Sequence, residues 1–198
     1  MRGMGDVAGF SAAMLVLAID LSKIASDIRL MAMGPRTGID EIKLPAVQPV
    51  SSIMPGKINP SIPEMVNQVC YQVMGCDTTV AMVCEAGQLE LNVMMPVIAW
   101  NALHASRIIR QSMAVLRTKC VEGITANPER ARELLDRSTA LATALSPHIG
   151  YAATADIAKE AVRTGKSIRE IAKERGVLSD AQLDTLLAPE RMTSPDQE

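Results

Sequence analysis

Residues 14–31 read MLVLAIDLSKIASDIRLM, and the spacing of their apolar side chains sets the fold class. Met14, Leu17, Leu21, Ile24, Ile28 and Met31 recur every three or four positions, the signature of one helical face. Asp20, Lys23 and Asp27 fall elsewhere on the same helix, at spacings that permit ion pairing. Gly34-Pro35 stops the helix. Upstream, the apolar run Val7 to Ile19 superficially resembles a signal peptide. It is too short to span a bilayer, Asp6 spoils the positive flank, and no small-residue cleavage site follows.

Downstream, six of the eleven prolines fall between Pro35 and Pro63, so the connection from Gly34 to Pro60 is stiffened. Long connections without secondary structure are uncommon in compact domains and are usually functional or disordered. A second helix is expected from Ser61, with Pro63 in its first turn and Glu64 reaching back to Ser61 in a capping box. Its body is apolar on several sides, so it must be buried among other helices. Gly87 interrupts it. A third helical run extends from about Leu89 to Cys120, with Pro96 kinking or breaking it. These long apolar helices need more partners than one chain supplies, which predicts self-association.

After Gly123 the units are shorter and more charged. One helix starts at Asn127-Pro128 and stops before Pro147, and another covers Thr154 to Arg163 and stops at Gly165. Capping-box spacings at Ser167/Glu170 and Ser179/Gln182 open two more. The chain is therefore expected to be all-α. Residues 1–122 form part of a central helical bundle that includes the loop 50–60, and residues 123–198 form a small helical C-terminal domain. No strand ladder is expected.

Bulk composition agrees with helices. Of 198 residues, 48% are hydrophobic and thirteen are Met, against one Trp, two Tyr and one Phe, a poor mixture for a β-sandwich. A net charge of −2 gives no electrostatic footprint for nucleic acid or anionic membrane. Cys70, Cys76, Cys84 and Cys120 lack zinc-ligand spacing and sit among apolar neighbours, as buried thiols of a reducing, cytoplasmic compartment would. His104 and His148 have no metal partner at helical spacing, so no metal site is assigned. Gly165-Lys166-Ser167 looks like the end of a phosphate-binding loop, but Glu160 stands where glycine is required. A helix-turn-helix over Ser167 to Leu187 fails because Ser179 to Leu187 carries two Asp and no basic residue.

Within the proline-rich connection lies Ser51-Ser52-Ile53-Met54-Pro55-Gly56-Lys57-Ile58-Asn59-Pro60. Bottom-up, Ser51 or Ser52 is a candidate base or nucleophile, and Lys57 with Asn59 a candidate anion clamp. A serine hydroxyl serves as a base only where its ionised form is stabilised, for example by backbone N–H groups in a dry pocket. Gly56 beside Lys57 permits close backbone approach to an anion. An ordinary turn with solvated polar residues would also account for the composition.

This stretch resembles the aspartase/fumarase superfamily, whose signature reads roughly G-S-S-x-M-P-x-K-x-N-P. Ser51, Ser52, Met54, Pro55, Lys57, Asn59 and Pro60 match it, and Ile53 and Gly56 complete the loop. The segment from Leu21 through Gly38 to Glu41-Ile42, then Leu91-Asn92-Val93, Pro147 to Tyr151 and Leu178 to Met192, is similar as well. Pro63 to Cys70, Asp77-Thr78-Thr79, Glu85 to Leu89 and Gly123 to Asn127 resemble aspartate ammonia-lyases. Fumarases typically carry Gly-Asn-Phe near Gly87-Gln88-Leu89.

The resemblance implies an activity: reversible deamination of L-aspartate to fumarate and ammonia, without a cofactor. Ser51 would be the base and Ser52 would hold the β-carboxylate. Lys57 and Asn59 would hold the other carboxylate. Glu64 would orient a histidine from another subunit, in a homotetramer whose sites form where three subunits meet. Two departures stand out. Val50 occupies the place of the signature glycine, and a β-branched residue does not readily adopt positive φ. The chain also resembles only a C-terminal portion of such enzymes. Class II fumarase chemistry on the same loop, and a non-catalytic helical oligomerisation piece, are the rival readings.

Overall fold

The structure, a computed structural model, describes residues 3–48 and 58–193. Its elements are α1 (Gly5–Met31), β1 (Ile42–Lys43), α2 (Ser61–Glu85), α3 (Met95–Lys119), β2 (Thr125–Ala126), α4 (Pro128–Asp136), α5 (Ser146–Ile149), α6 (Tyr151–Thr164), α7 (Ile168–Glu174), α8 (Asp180–Leu186) and α9 (Pro189–Thr193). The all-α expectation holds, apart from one two-stranded ladder among the described residues. The chain divides into two units, Met1–Asn127 and Pro128–Glu198.

In the first unit, α1 and α3 both pack on α2. The buried stripe of α1 is Ser11, Met14, Ala18, Leu21, Ser22, Ala25 and Ile28. It faces Val66, Cys70, Val73 and Cys76 of α2 in one core with Ala105, Ile109 and Leu116 of α3. Polar cross-links fix the direction. Ser11 bonds Asp77, Ser22 accepts from Asn67 and Arg29 pairs with Glu64, so α1 and α2 run antiparallel.

The helical period is as expected, but the face is rotated. Leu17 and Ile24 are exposed, and Ala18 and Ala25 take the seam, where their small side chains let the two backbones approach. At 27 residues, α1 is also much longer than the run Val7 to Ile19, and by length and composition alone it could cross a membrane. Its buried stripe lies against α2.

Three further expectations are corrected. Pro60 is the N-cap of α2 and makes no side-chain cap, so Ser61 is already inside the helix and the Ser61/Glu64 capping box does not form. The Glu64 N–H donates instead to the Pro60 carbonyl at 3.0 Å, the first bond of the helix. Pro96 neither kinks nor breaks α3; it sits in the first turn, where its missing N–H costs nothing. Finally, β1 and β2 pair antiparallel, Ile42 opposite Ala126 and Lys43 opposite Thr125. A two-residue ladder carries no periodicity to detect.

The second unit has its own core, centred on Leu145, Ile157, Ile168, Ile171 and Leu183. The run expected to be one helix up to Pro147 is three pieces: α4, a 3₁₀ stretch over Thr139–Leu145, and α5. The Ser138 hydroxyl accepts from the Ala140 N–H and opens the 3₁₀ stretch, while Pro147 lies in the first turn of α5. The other marks hold. Gly165 ends α6 in the left-handed conformation (φ 74°), and both capping boxes are complete at Ser167/Glu170 and Ser179/Gln182. Lys166 is paired with Glu174 at 2.6 and 2.7 Å, which ends its likeness to a phosphate-loop lysine.

Candidate functional site at the roots of the signature loop

Ser51, Ser52, Ile53, Met54, Gly56 and Lys57, with Val50, lie outside the described residues. Asn59 and Glu64 are described, as are both roots from which the loop springs. Both are fastened to the C-terminal end of α1.

The upstream root is a buried knot around Asp40. Its backbone is left-handed (φ 57°) and the residue as a whole is only 6% exposed. A carboxylate here must be paired, because removing an isolated charge from water is costly. Lys43 Nζ donates to Asp40 Oδ2 at 2.6 Å, and Asn127 Nδ2 donates to Asp40 Oδ2 at 3.1 Å and to its carbonyl at 3.0 Å. The Asn127 N–H bonds the Glu41 carbonyl at 2.8 Å, and the Glu41 N–H bonds the Met31 carbonyl at 3.0 Å. Gly38 is needed in the same turn, since a Cβ there would collide with the Met33 backbone.

The downstream root runs through Ile58, Asn59 and Pro60 into α2. Ile58 is exposed and Asn59 half-buried. One turn into α2, Glu64 Oε1 lies 3.9 Å from Arg29 Nη2. Arg29 Nη1 donates to Asn67 Oδ1 at 3.0 Å. Asn67 is buried, and its Nδ2 donates to the Ser22 carbonyl and hydroxyl, both at 2.9 Å, and approaches Ser26 Oγ at 3.1 Å. Arg29 Nε is buried with no hydrogen-bond partner among the described residues.

Sequence reasoning found Glu64 but missed Arg29, Asn67 and Asp40. Asn67 did carry a signal: it is an amide three residues before Cys70 on the apolar stripe of α2, and a polar group in that register must find a buried partner. Asp40 gave none, because its role rests on a turn and on Asn127, far away in sequence.

The remaining candidates fall elsewhere. His104 stacks on Trp100, with ring centroids 5.8 Å apart on α3. His148 borders a cleft of about 320 Å³ with Gln182 and Thr185 in the second unit. A second cleft, about 530 Å³, lies beside Pro45, Ala46 and Val47 against Thr118, Lys119 and Glu122, and touches neither Asn59 nor Glu64. Burial pushes the Cys70 and Cys120 thiols up from their ordinary value, so they are poor nucleophiles at neutral pH.

Comparison with known proteins bears on this geometry. Residues 1–75 match the family described as Lyase, and residues 141–194 match Fumarase C C-terminus. The aspartate ammonia-lyase of Pseudomonas canavaninivorans is 50% identical over 192 residues, 97% of this chain and 40% of that protein. The chain belongs to the aspartase/fumarase superfamily of lyases. Among solved superfamily structures, a fumarate lyase:delta crystallin from Brucella melitensis superimposes with a TM-score of 0.93. It is 50% identical, covering 98% of this chain and 42% of that one. The class II fumarase of Schistosoma mansoni gives a TM-score of 0.92 at 37% identity, covering 100% and 41%. The chain thus spans about two fifths of the length of the relatives it matches.

Proposed function

We propose that this chain serves an ammonia-lyase that converts L-aspartate reversibly to fumarate and ammonia. The observation that carries the choice of substrate is the difference in identity, 50% to the aspartate ammonia-lyase against 37% to the class II fumarase. In this reading Ser51 removes a proton from the carbon beside the β-carboxylate, leaving a dianionic aci-carboxylate. The electron pair then forms the carbon–carbon double bond as the carbon–nitrogen bond breaks and ammonia departs. Elimination of this kind is redox-neutral, so no redox cofactor is called for.

Charge builds on the β-carboxylate in the transition state and must meet donors already in place, the role given to Ser52. Lys57 and Asn59 hold the other carboxylate, and Glu64 orients a histidine from another subunit. Self-association into a homotetramer fits the exposed apolar residues of the first unit, among them Phe10 and Ile24 on α1 and Trp100 and Leu103 on α3. Those same faces support a second reading, a self-association module without turnover. Free cysteines fit a cytoplasmic setting.

The test follows fumarate by its ultraviolet absorbance, with L-aspartate or L-malate as substrate. The chain is assayed alone and co-expressed with the complementary segment of an aspartate ammonia-lyase relative. Fumarate from aspartate is expected in the co-expressed assembly. Turnover of malate only would replace aspartase with fumarase chemistry, and none from either would leave the association module.

A further inference from the structure

We infer that Arg29 is a positioning residue for Glu64, held in register by the buried amide of Asn67. The inference rests on the reading above that Glu64 orients a histidine. It begins from a chain of contacts with a direction. Ser22 fixes Asn67 through two bonds to Nδ2, which leaves Asn67 Oδ1 free to face one way only, towards Arg29 Nη1 at 3.0 Å. That bond sets the plane of the guanidinium, whose other terminal nitrogen faces Glu64 Oε1 at 3.9 Å. Arginine suits this role because one rigid fork serves two acceptors at a fixed angle; a lysine ammonium would swivel.

A structural purpose accounts poorly for the same atoms. The Asn67 bonds to Ser22 and the Ser11–Asp77 bond already join α1 to α2 without any cation. The Arg29–Glu64 pair is long and 40% and 42% exposed, a geometry that adds little to stability. Arg29 Nε has no hydrogen-bond partner among the described residues, so the contacts that orient the guanidinium are those of its two terminal nitrogens. What the arrangement does achieve is a guanidinium, oriented by Asn67, that faces the Glu64 carboxylate at the start of α2, at the downstream root of the signature loop.

The experiment is a double-mutant cycle on aspartate turnover in the co-expressed assembly, with Arg29→Gln, Glu64→Gln and the pair. Arg29→Gln is expected to lower kcat about tenfold or more with KM unchanged, since misplacing a catalytic group by an ångström has effects of that order. In the Glu64→Gln background the same change should cost nothing further, because Arg29 acts through Glu64. Should Arg29→Gln fail to fold, Arg29→Lys, which keeps the charge but loses the fork, completes the cycle. Equal losses in both backgrounds, or an unchanged kcat, would overturn the inference and leave the function standing. No turnover of aspartate in the unaltered assembly would overturn the reading of function, and this inference with it.

Discussion

The two units bury their apolar residues in different ways. The second unit is self-sufficient: Leu145, Ile157 and Leu183 are wholly buried, and short helices are closed by capping boxes and surface ion pairs. Basic residues of α7 are answered from α8, Arg169 by Asp184 and Lys173 by Asp180. The first unit closes one seam with small residues and leaves a second set of large apolar side chains in water, Trp100 and Leu103 each at 71% exposure. Apolar surface on that scale marks an interface more than a monomer's exterior. One unit is stabilised from within, whereas the other awaits company.

The sharpest way to break that contrast is Leu145→Ala. It leaves a cavity in a small core and should cost about 2–5 kcal/mol, read as a lower denaturant midpoint for the second unit. A near-neutral result would mean that this core does not hold the unit together. Next, Trp100→Glu should leave the helix content of the first unit intact while weakening self-association. Buried aromatic anchors at interfaces are worth about 2 kcal/mol or more, so a dissociation constant raised by some thirtyfold is expected in sedimentation. An unchanged association state would remove the α3 face from the interface.

The smallest effect belongs to the caps. Ser167→Ala removes the acceptor for the Glu170 N–H and should destabilise the second unit by about 1 kcal/mol. The reciprocal half of that box holds the Glu170 carboxyl below the usual carboxylate range, chiefly through its bond from the Ser167 N–H and then from the Ser167 hydroxyl. A lowered folded value places this contribution above the ordinary Glu pKa, and acid removes it as pH falls through the folded value. Glu170→Gln should therefore flatten the acid limb of the unfolding curve; an identical limb would discount the box.

How much of this was legible follows from the range of each interaction. The capping boxes at Ser167 and Ser179 and the glycine stop at Gly165 were readable because their partners lie within a few residues. The helical period of α1 was readable too, but its orientation was not. Leu17 and Ala18 lie about 100° apart around the helix, and only the packing partner decides which lies in the seam. Ser61/Glu64 shows the opposite failure, a local pattern overruled when Pro60 started the helix one residue early. In the site, Asn59 and Glu64 were found through the signature. Arg29 and Asp40 were not, since their partners stand at Asn67 and Asn127, beyond the reach of any local pattern.

Asn127 has one further consequence. It is the last residue of the first unit, and it grips Asp40 by two bonds at the root of the signature loop. Pro128, which begins the second unit, follows it directly in the chain. The boundary between the two units therefore falls directly after a residue that is itself fixed by hydrogen bonds within the first. Any change at Asn127 thus falls on Asp40 as much as on the boundary, because the same amide serves both.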